Sequence, residues 1–497
     1  MIIRKNIFLA DLIPGVTGKH GNIAVSGLTQ DSREVVPGDL FFARSGAHHR
    51  GTDFIREAAD KGAVAVVADR LEWSGQSSSI PVIPVSELDV IIGDAARRFY
   101  ETDADPVMTV IGITGTNGKT SCSHFLAQAL NYLGKSCAVI GTIGNGFPQK
   151  LQPSTHTTPD AIKAHQLLAE LKEQGADCVV MEVSSHALDQ ERVAGIRFTA
   201  AAFTNLSREH LDYHQDMQAY GAAKAKLFLD KQVPLQIVNL EDPFGAMLSK
   251  SAAAVADQLL TYGIDHPSAD LSVSDMALAA SGMQLGFKTP WGRVGFETAL
   301  IGRYNISNLL LVAGVLGLME YRAEDISIAL AGVMPVAGRM ERISHQIDEP
   351  TVLIDYAHTP DALYQALKAL TVHKSGTGRL WCVFGCGGDR DSGKRPEMGR
   401  IAAEQADRIV VTSDNPRTES PEQILAQIVT AIPESASFYV EVDRAKAIEM
   451  AVMQANSEDI VLIAGKGHED YQEINGQRHP FSDQKYALAA LQKRAAS

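Results

Sequence analysis

The apolar and polar positions of this chain fall into three successive blocks. In residues 1–105, short β-branched and aromatic runs predict strands over Asn22–Gly27, Asp39–Ala43, Ala63–Ala68 and Ile80–Val85. Helical spacing predicts helices over Asp53–Lys61 and Asp89–Tyr100, Trp73–Ser79 reads as a polar loop, and Thr102–Pro106 as a linker. In residues 106–335, buried-type runs at Val107–Thr114, Ser136–Gly141, Cys178–Val183, Thr199–Thr204 and Leu235–Asn239 alternate with helical patterns. Those patterns lie at Lys119–Leu133, from Asp160, around Met217–Leu229 and over Asn305–Glu320. Such alternation predicts a mostly parallel sheet covered on both faces. Between about 258 and 300 the runs shorten and alternate, which predicts an antiparallel extension. Residues 336–497 return to alternation, with strands at Val352–Tyr356, Leu380–Phe384, Arg408–Thr412 and Ile460–Ala464.

The run Gly115-Thr116-Asn117-Gly118-Lys119-Thr120-Ser121 joins the strand ending at Thr114 to the helix opening at Lys119. A strand that feeds a glycine-rich turn into a helix N-terminus makes an anion site. The glycines admit close backbone approach, the N–H groups and helix dipole face the phosphates, the lysine adds charge, and the threonine hydroxyl suits Mg²⁺. The common phosphate-loop pattern places Gly where this chain has Ile113, so the loop is a variant. The expected fold is α/β in three domains. They are a small N-terminal α/β domain (1–105), a central P-loop parallel-sheet ATPase domain (106–335) and a C-terminal Rossmann-like domain (336–497).

Composition narrows the class further. A net charge of −14 argues against a nucleic-acid binder. No stretch of about eighteen uncharged apolar residues occurs, so no membrane span is expected. The first fifteen residues carry an acidic side chain and no small-residue cleavage site, and read as mature protein rather than a signal peptide. The five cysteines form no CxxC pair; buried thiols in a reducing, cytoplasmic setting are expected, and Cys382 with Cys386 makes a poor zinc site without a second ligand pair.

Other charged positions stand at predicted strand ends. Glu182 closes an apolar strand beside the phosphate loop, where a carboxylate suits Mg²⁺. His210 and His214 follow the next strand, and His210 is a candidate second metal ligand. Lys224 and Lys226 read on composition as a solvated lysine face. Four loops, opening at Asp355, Gly385, Ser413 and Gly465, stand at one end of the third sheet. Arg390, Arg417, Asp414, Asn415 and Glu469 on these loops suit a zwitterionic amino acid, because Arg binds carboxylate in a fork and Asp or Glu binds ammonium.

The ordered set of motifs resembles the Mur ligase family, ATP-dependent amide-forming enzymes of peptidoglycan synthesis. It comprises TGTNGKTS (114–121), HTTP (156–159), MEVSSHAL (181–188), NLSREHLDYH (205–214), YGAAKAKLF (220–228), YN (304–305), GRME (338–341), DYAHTP (355–360), GCGGDRDSGKRP (385–396), DNPR (414–417) and GKGHEDYQ (465–472). The resemblance implies that Gly115, Thr116, Asn117, Gly118, Lys119, Thr120 and Ser121 hold ATP phosphates, with Asn305, Arg339 and Asp355 on the nucleotide. It implies magnesium at Thr120, Glu182 and His210, and a carbamylated Lys224 as a further ligand. Lys119, Glu182, His210 and Lys224 would then form the catalytic set. Gln30, Ser32, His48 and His49 would lie near a uridine diphosphate, and Thr157, Thr158, Ser184, Gln190 and Arg192 along a muramoyl-dipeptide path. Arg390, Asp414, Asn415, Pro416, Arg417, Gly465 and Glu469 would hold the incoming amino acid. Within the family, DNPR goes with the branch that adds meso-diaminopimelate to UDP-N-acetylmuramoyl-L-Ala-D-Glu. A monomer is expected. His210 and His358 are candidates for the base that deprotonates the amine. An L-lysine-adding relative, a folylpolyglutamate-synthetase-like ligase and a non-catalytic nucleotide-binding regulator are the alternatives.

Overall fold

The computed structural model describes residues 7–46, 49–75, 77–102, 107–279, 282–344, 348–374 and 376–496. The chain divides into two compact units, Met1–Leu260 and Thr261–Ser497.

The first unit opens with a four-stranded parallel sheet, β1 (Gly27–Thr29), β2 (Asp39–Ala43), β3 (Ala65–Asp69) and β4 (Val82–Val85), in that spatial order. The strand expected over Asn22–Gly27 is broken. The N–H of Ser26 donates to Gly38 O, leaving Ala24–Val25 apart from β1. The helix expected over Asp53–Lys61 begins as a 3₁₀ turn, Gly51–Phe54, before Ile55–Asp60. The helix α1 (Leu88–Tyr100) follows, and its Leu88 and Ile92 share one apolar cluster with Ala161 and Ile162.

The same unit continues with β5 (Thr109–Thr114), α2 (Lys119–Tyr132), β6 (Cys137–Ile140), α3 (Ala161–Glu173), β7 (Cys178–Glu182), β8 (Ala200–Phe203), α4 (Met217–Leu229) and β9 (Leu235–Asn239). Strands β6-β7-β5-β8-β9 lie side by side and parallel, and an antiparallel hairpin, Asn145–Phe147 with Lys150–Gln152, extends the sheet past β6. The runs are continuous rather than alternating because both faces are covered: every residue of β7 and β8 is buried. Register pairs Glu182 with Ile113 and Phe203 with Thr114, so β5, β7 and β8 end level.

The second unit contains the antiparallel meander β10 (Ser272–Ala279), β11 (Gly282–Thr289) and β12 (Gly292–Thr298), as the shortened runs predicted. After α5 (Arg303–Leu318) comes a doubly wound sheet of β13 (Thr351–Asp355), β14 (Leu380–Phe384), β15 (Arg408–Thr412), β16 (Phe438–Glu441) and β17 (Ile460–Ala464). These five strands are parallel in the spatial order β13-β17-β14-β15-β16, and the short strand Glu341–Arg342 adds antiparallel at the β13 edge. Helix α6 (Arg444–Gln454), the hairpin β18 (Tyr471–Ile474) and β19 (Gln477–Pro480), and α7 (Asp483–Ala495) complete the unit. The four charged loops do follow the carboxyl ends of β13, β14, β15 and β17, where open α/β sheets bind ligands. No helix among the described residues is long and apolar enough to cross a membrane. All five cysteines are buried as free thiols.

Candidate active site

The phosphate loop leaves β5 and is braced by the end of β8. The N–H groups of Thr116 and Asn117 donate to Asn205 O (2.8 Å) and Asn205 Oδ1 (2.9 Å), and Thr204 Oγ1 donates to Asn117 O (2.6 Å). Gly115 and Gly118 adopt positive φ, 148° and 88°, and Gly118 is the residue from which α2 starts. A Cβ at Gly115 would strike Thr204 Oγ1, so glycine is required by space as well as by φ. Ile113 is buried within β5, two residues before the turn begins at Gly115, so the variant position serves the sheet core.

Two lysines converge on one loop carbonyl. Lys119 Nζ donates to Gly115 O (2.9 Å) and Thr116 O (2.8 Å), and Lys224 Nζ donates to the same Gly115 O (2.8 Å). Lys224 is buried, with its ammonium 4.4 Å from the centre of the Tyr220 ring. Burial, then the Lys119 charge, pushes its pKa well below the ordinary lysine value. The solvated lysine face expected from composition is therefore wrong for Lys224; α4 turns this side chain into the protein. Tyr220, four residues earlier, bonds Thr116 Oγ1 through its hydroxyl (3.1 Å) and fixes the helix against the loop.

Glu182 is fully buried at the end of β7. It accepts from Thr120 Oγ1 (2.8 Å), Thr142 Oγ1 (3.1 Å) and the Thr142 N–H (2.9 Å). The Thr120 hydroxyl and Glu182 carboxylate form a hard-oxygen pair at the loop, and such donors fit Mg²⁺. His210 precedes the short helix Leu211–His214 at φ +57° and feels the charges of Lys119 and Lys224. Its ring lies 4.8 Å from His186, and its Nε2 3.5 Å from Glu209 Oε2. Among the described residues no three His, Cys, Asp or Glu side chains converge as a metal set. His214 Nε2 lies 2.9 Å from Ser185 Oγ. Burial, then the neighbouring His210, pushes the His186 pKa down to about 4; burial also lowers those of His210 and His214.

Several predicted substrate residues gather around a cavity of about 160 Å³ lined by Gln30, Arg44, His156, Asp160, Gln190 and Arg192, among others. Arg192 donates to Gln190 Oε1 (2.6 Å) and to Thr158 O (3.2 Å). Thr158 Oγ1 donates to Glu182 O (2.8 Å) and accepts from Ser184 N–H (3.0 Å), tying this wall to β7. Thr157 Oγ1 lies 3.0 Å from Thr142 Oγ1. Ser32 Oγ donates to Glu57 (2.7 Å), and His49 is exposed beside Phe54. His48 lies outside the described residues.

In the second unit, Lys466 is a fully buried cation. Its Nζ reaches Asn415 Oδ1 (3.0 Å), Glu469 Oε2 (3.0 Å) and Asp414 Oδ1 (3.4 Å). Burial raises the Asp414 pKa, but Lys466 and then Arg444 and His358 outweigh it and hold the group below the usual carboxylate range. Asn415 Nδ2 donates to Glu469 (2.9 Å). Arg417, at φ +52°, donates through Nη1 to Gly388 O (2.7 Å), with its Nε 3.3 Å from Glu473 Oε2. Hairpin β18–β19 fixes it: Arg417 N–H donates to Glu473 O (2.9 Å) and Asn475 N–H to Arg417 O (2.7 Å). Pro416 continues the loop, whose carbonyl closely faces Gly388. Gly465 has φ +119°, and Arg390 is exposed on the loop after β14. Arg339 stacks on Tyr356 at 4.5 Å, and Asp355 accepts from the N–H groups of Met340 (2.7 Å) and Ala357 (2.9 Å). Asn305, on α5, is buried and accepts from Asn308 (3.0 Å).

Sequence reasoning gave Thr142, Arg44, Lys466, Arg444 and Asp483 no role. Lys466 lay inside a quoted motif; the others are isolated polar residues with no local signal.

Known families and structures agree with this architecture. "Mur ligase family, catalytic domain" matches residues 24–100, "Mur ligase middle domain" 113–316, and "Mur ligase, glutamate ligase domain" 338–467. The UDP-N-acetylmuramoyl-L-alanyl-D-glutamate--2,6-diaminopimelate ligase of Chromobacterium violaceum is 46% identical over 97% of both chains. That of Coxiella burnetii is 46% identical over 95% of this chain and 96% of its own. A solved structure of a ligase with the same name superposes with TM-score 0.75 at 34% identity, covering 99% of this chain and 100% of that one. The folylpolyglutamate synthase of Mycobacterium tuberculosis shares the fold (TM-score 0.60, 17% identity, 78% of this chain, 91% of that one). With near-complete coverage at this identity, the chain belongs to the Mur ligase family.

Proposed function

We propose that the protein is an ATP-dependent ligase. It joins meso-diaminopimelate to the D-Glu side-chain carboxylate of UDP-N-acetylmuramoyl-L-Ala-D-Glu in peptidoglycan precursor synthesis. The observation that carries the reading is the charge set around Lys466. A buried cation holds Asp414, Asn415 and Glu469 together beside the Arg417 guanidinium. Carboxylates for ammonium and a guanidinium for carboxylate suit a zwitterion. The relatives' names supply the acceptor and the amino acid.

A carboxylate does not accept an amine without a leaving group. In the proposed sequence a carboxylate oxygen attacks the γ-phosphorus of ATP, the bond to the β–γ bridging oxygen breaks, and ADP departs. The amine nitrogen then attacks the acyl-phosphate carbon, the C–O bond to phosphate breaks, and amide and phosphate result. Lys119 and the loop N–H groups offset charge during phosphoryl transfer. Asn305, Arg339 and Asp355 serve the nucleotide, and the cavity lined by Gln30, Gln190 and Arg192 takes the nucleotide-linked dipeptide; the family resemblance assigns Ser32, His49, Thr157, Thr158 and Ser184 to the same substrate. Mg²⁺ held by Thr120 and Glu182 would neutralise phosphate charge. Burial lowers the Lys224 pKa and so favours the neutral amine that carbamylation requires; carbamylated by CO₂, with the released proton passing to solvent, Lys224 would offer a further oxygen ligand to that ion. His210 and His358 are the imidazoles that can take the amine's proton. Product analysis tests the reading: the uridine-linked product should gain one diaminopimelate residue by mass, with one ADP formed. ADP without a mass gain would overturn it.

A further inference from the structure

Arg444 and Asp483 form an ion pair with both side chains fully buried. The contact is a two-pronged fork: Nε donates to Oδ1 and Nη2 to Oδ2, each at 2.7 Å. Each residue opens a helix, Arg444 α6 and Asp483 α7. The guanidinium makes two further bonds, and both go to strand ends. Nη2 donates to Ala464 O (3.0 Å), the last residue of β17, and Nη1 to Ser413 O (3.3 Å), just past β15. The residues that follow, Gly465 and Asp414, belong to the two loops assigned above to the amino acid.

Stability does not explain this arrangement. Arg444 in the first turn of α6 opposes that helix dipole while Asp483 in the first turn of α7 suits its own, so the dipoles give the pair no clear gain. A buried ion pair is poor evidence for stability, since apolar residues of similar volume often replace one without loss. Four directed bonds from one rigid fork instead fix positions, which a single-point lysine cannot do.

We propose that Arg444, held by Asp483, is a positioning residue that pins the 413–417 loop to the 465–469 loop and so sets affinity for the incoming amino acid. This rests on the assignment of those loops to the amino acid. Lys466 fixes the same loops from their side chains, whereas Arg444 fixes them from their backbone carbonyls.

The test is the double variant Arg444→Met/Asp483→Leu in the full chain, with Arg444→Lys beside it. Amide hydrogen exchange without ligand should speed about tenfold or more in 413–417 and 465–469, with α2 and β5 unchanged. KM for meso-diaminopimelate should rise about tenfold or more, with KM for ATP and for the nucleotide dipeptide within twofold. Arg444→Lys, which keeps the ion pair but loses the fork, should fall between wild type and the double variant. It carries the test if the double variant does not fold. Unchanged loop exchange, or equal rises in all three KM values, would overturn the proposal. Faster loop exchange in a protein whose wild type does not use diaminopimelate would leave the pinning standing and remove the ligase assignment instead.

Discussion

Replacing Lys224 with methionine separates chemistry from folding at the phosphate loop. The lysine is buried, donates one hydrogen bond to Gly115 O at 2.8 Å and lies over the Tyr220 ring. Methionine has similar volume and no polar head. The lost hydrogen bond is worth about 0.5–1.5 kcal/mol net, and Gly115 O keeps Lys119 as a donor, so no acceptor is stranded. Relief of burying an amine acts in the opposite direction. The fold should therefore change by about 1 kcal/mol or less, a few degrees in melting midpoint. Activity should respond differently, because a preorganised charge-stabilising group is worth about 10²–10³ in kcat. Phosphate release with ATP, nucleotide dipeptide and meso-diaminopimelate should fall by at least that factor while the melting curve stays in place. Bicarbonate removal should also slow the wild type reversibly and leave the variant unaffected. Retention of more than a tenth of wild-type turnover by a folded Lys224→Met protein would refute the reasoning.

Three further outcomes follow from the geometry. Gly115→Ala places a Cβ against Thr204 Oγ1 at a φ of 148°, so ATP binding measured by calorimetry should weaken at least tenfold. Lys466→Met strips the buried cation from Asp414 and Glu469. Breaking such a set costs about 3–5 kcal/mol, so denaturant melts should show a destabilised protein whose diaminopimelate affinity is also lost. The third concerns pH. Folding lowers the His186 pKa from 6.5 to about 4, and lowers those of His210 and His214. Between pH 6.5 and 4 the unfolded chain therefore binds more protons. Stability conferred by neutral imidazoles is full above pH 6.5 and is lost as pH falls toward 4. Melting midpoints against pH should show that slope, and His186→Gln should flatten it.

Much of this was legible from local pattern. Continuous apolar runs located β5, β7, β14 and β17 because a sheet covered on both faces leaves no polar alternation. Glycines at 115 and 118 marked the loop because the backbone there needs positive φ between a strand and a helix N-terminus. What local pattern could not supply was the direction of a side chain on an evenly mixed helix. Lys224 and Lys226 stand two residues apart, yet one is buried and the other lies 3.4 Å from Asp189 at the surface. Arg444 and Asp483, 39 positions apart, had no local signal, because their partnership exists only once α6 and α7 pack. His210 lies inside the 205–214 motif, but its αL backbone and its ring contact with His186 carried no local signal.

The central claim is tested most directly by phosphate release from ATP in the presence of UDP-N-acetylmuramoyl-L-Ala-D-Glu, with meso-diaminopimelate and L-lysine compared at equal concentration. Release is expected with diaminopimelate and little with lysine, which lacks the second carboxylate for Arg417. Release favouring lysine would contradict the Arg417 assignment, and release with neither would contradict the ligase reading itself.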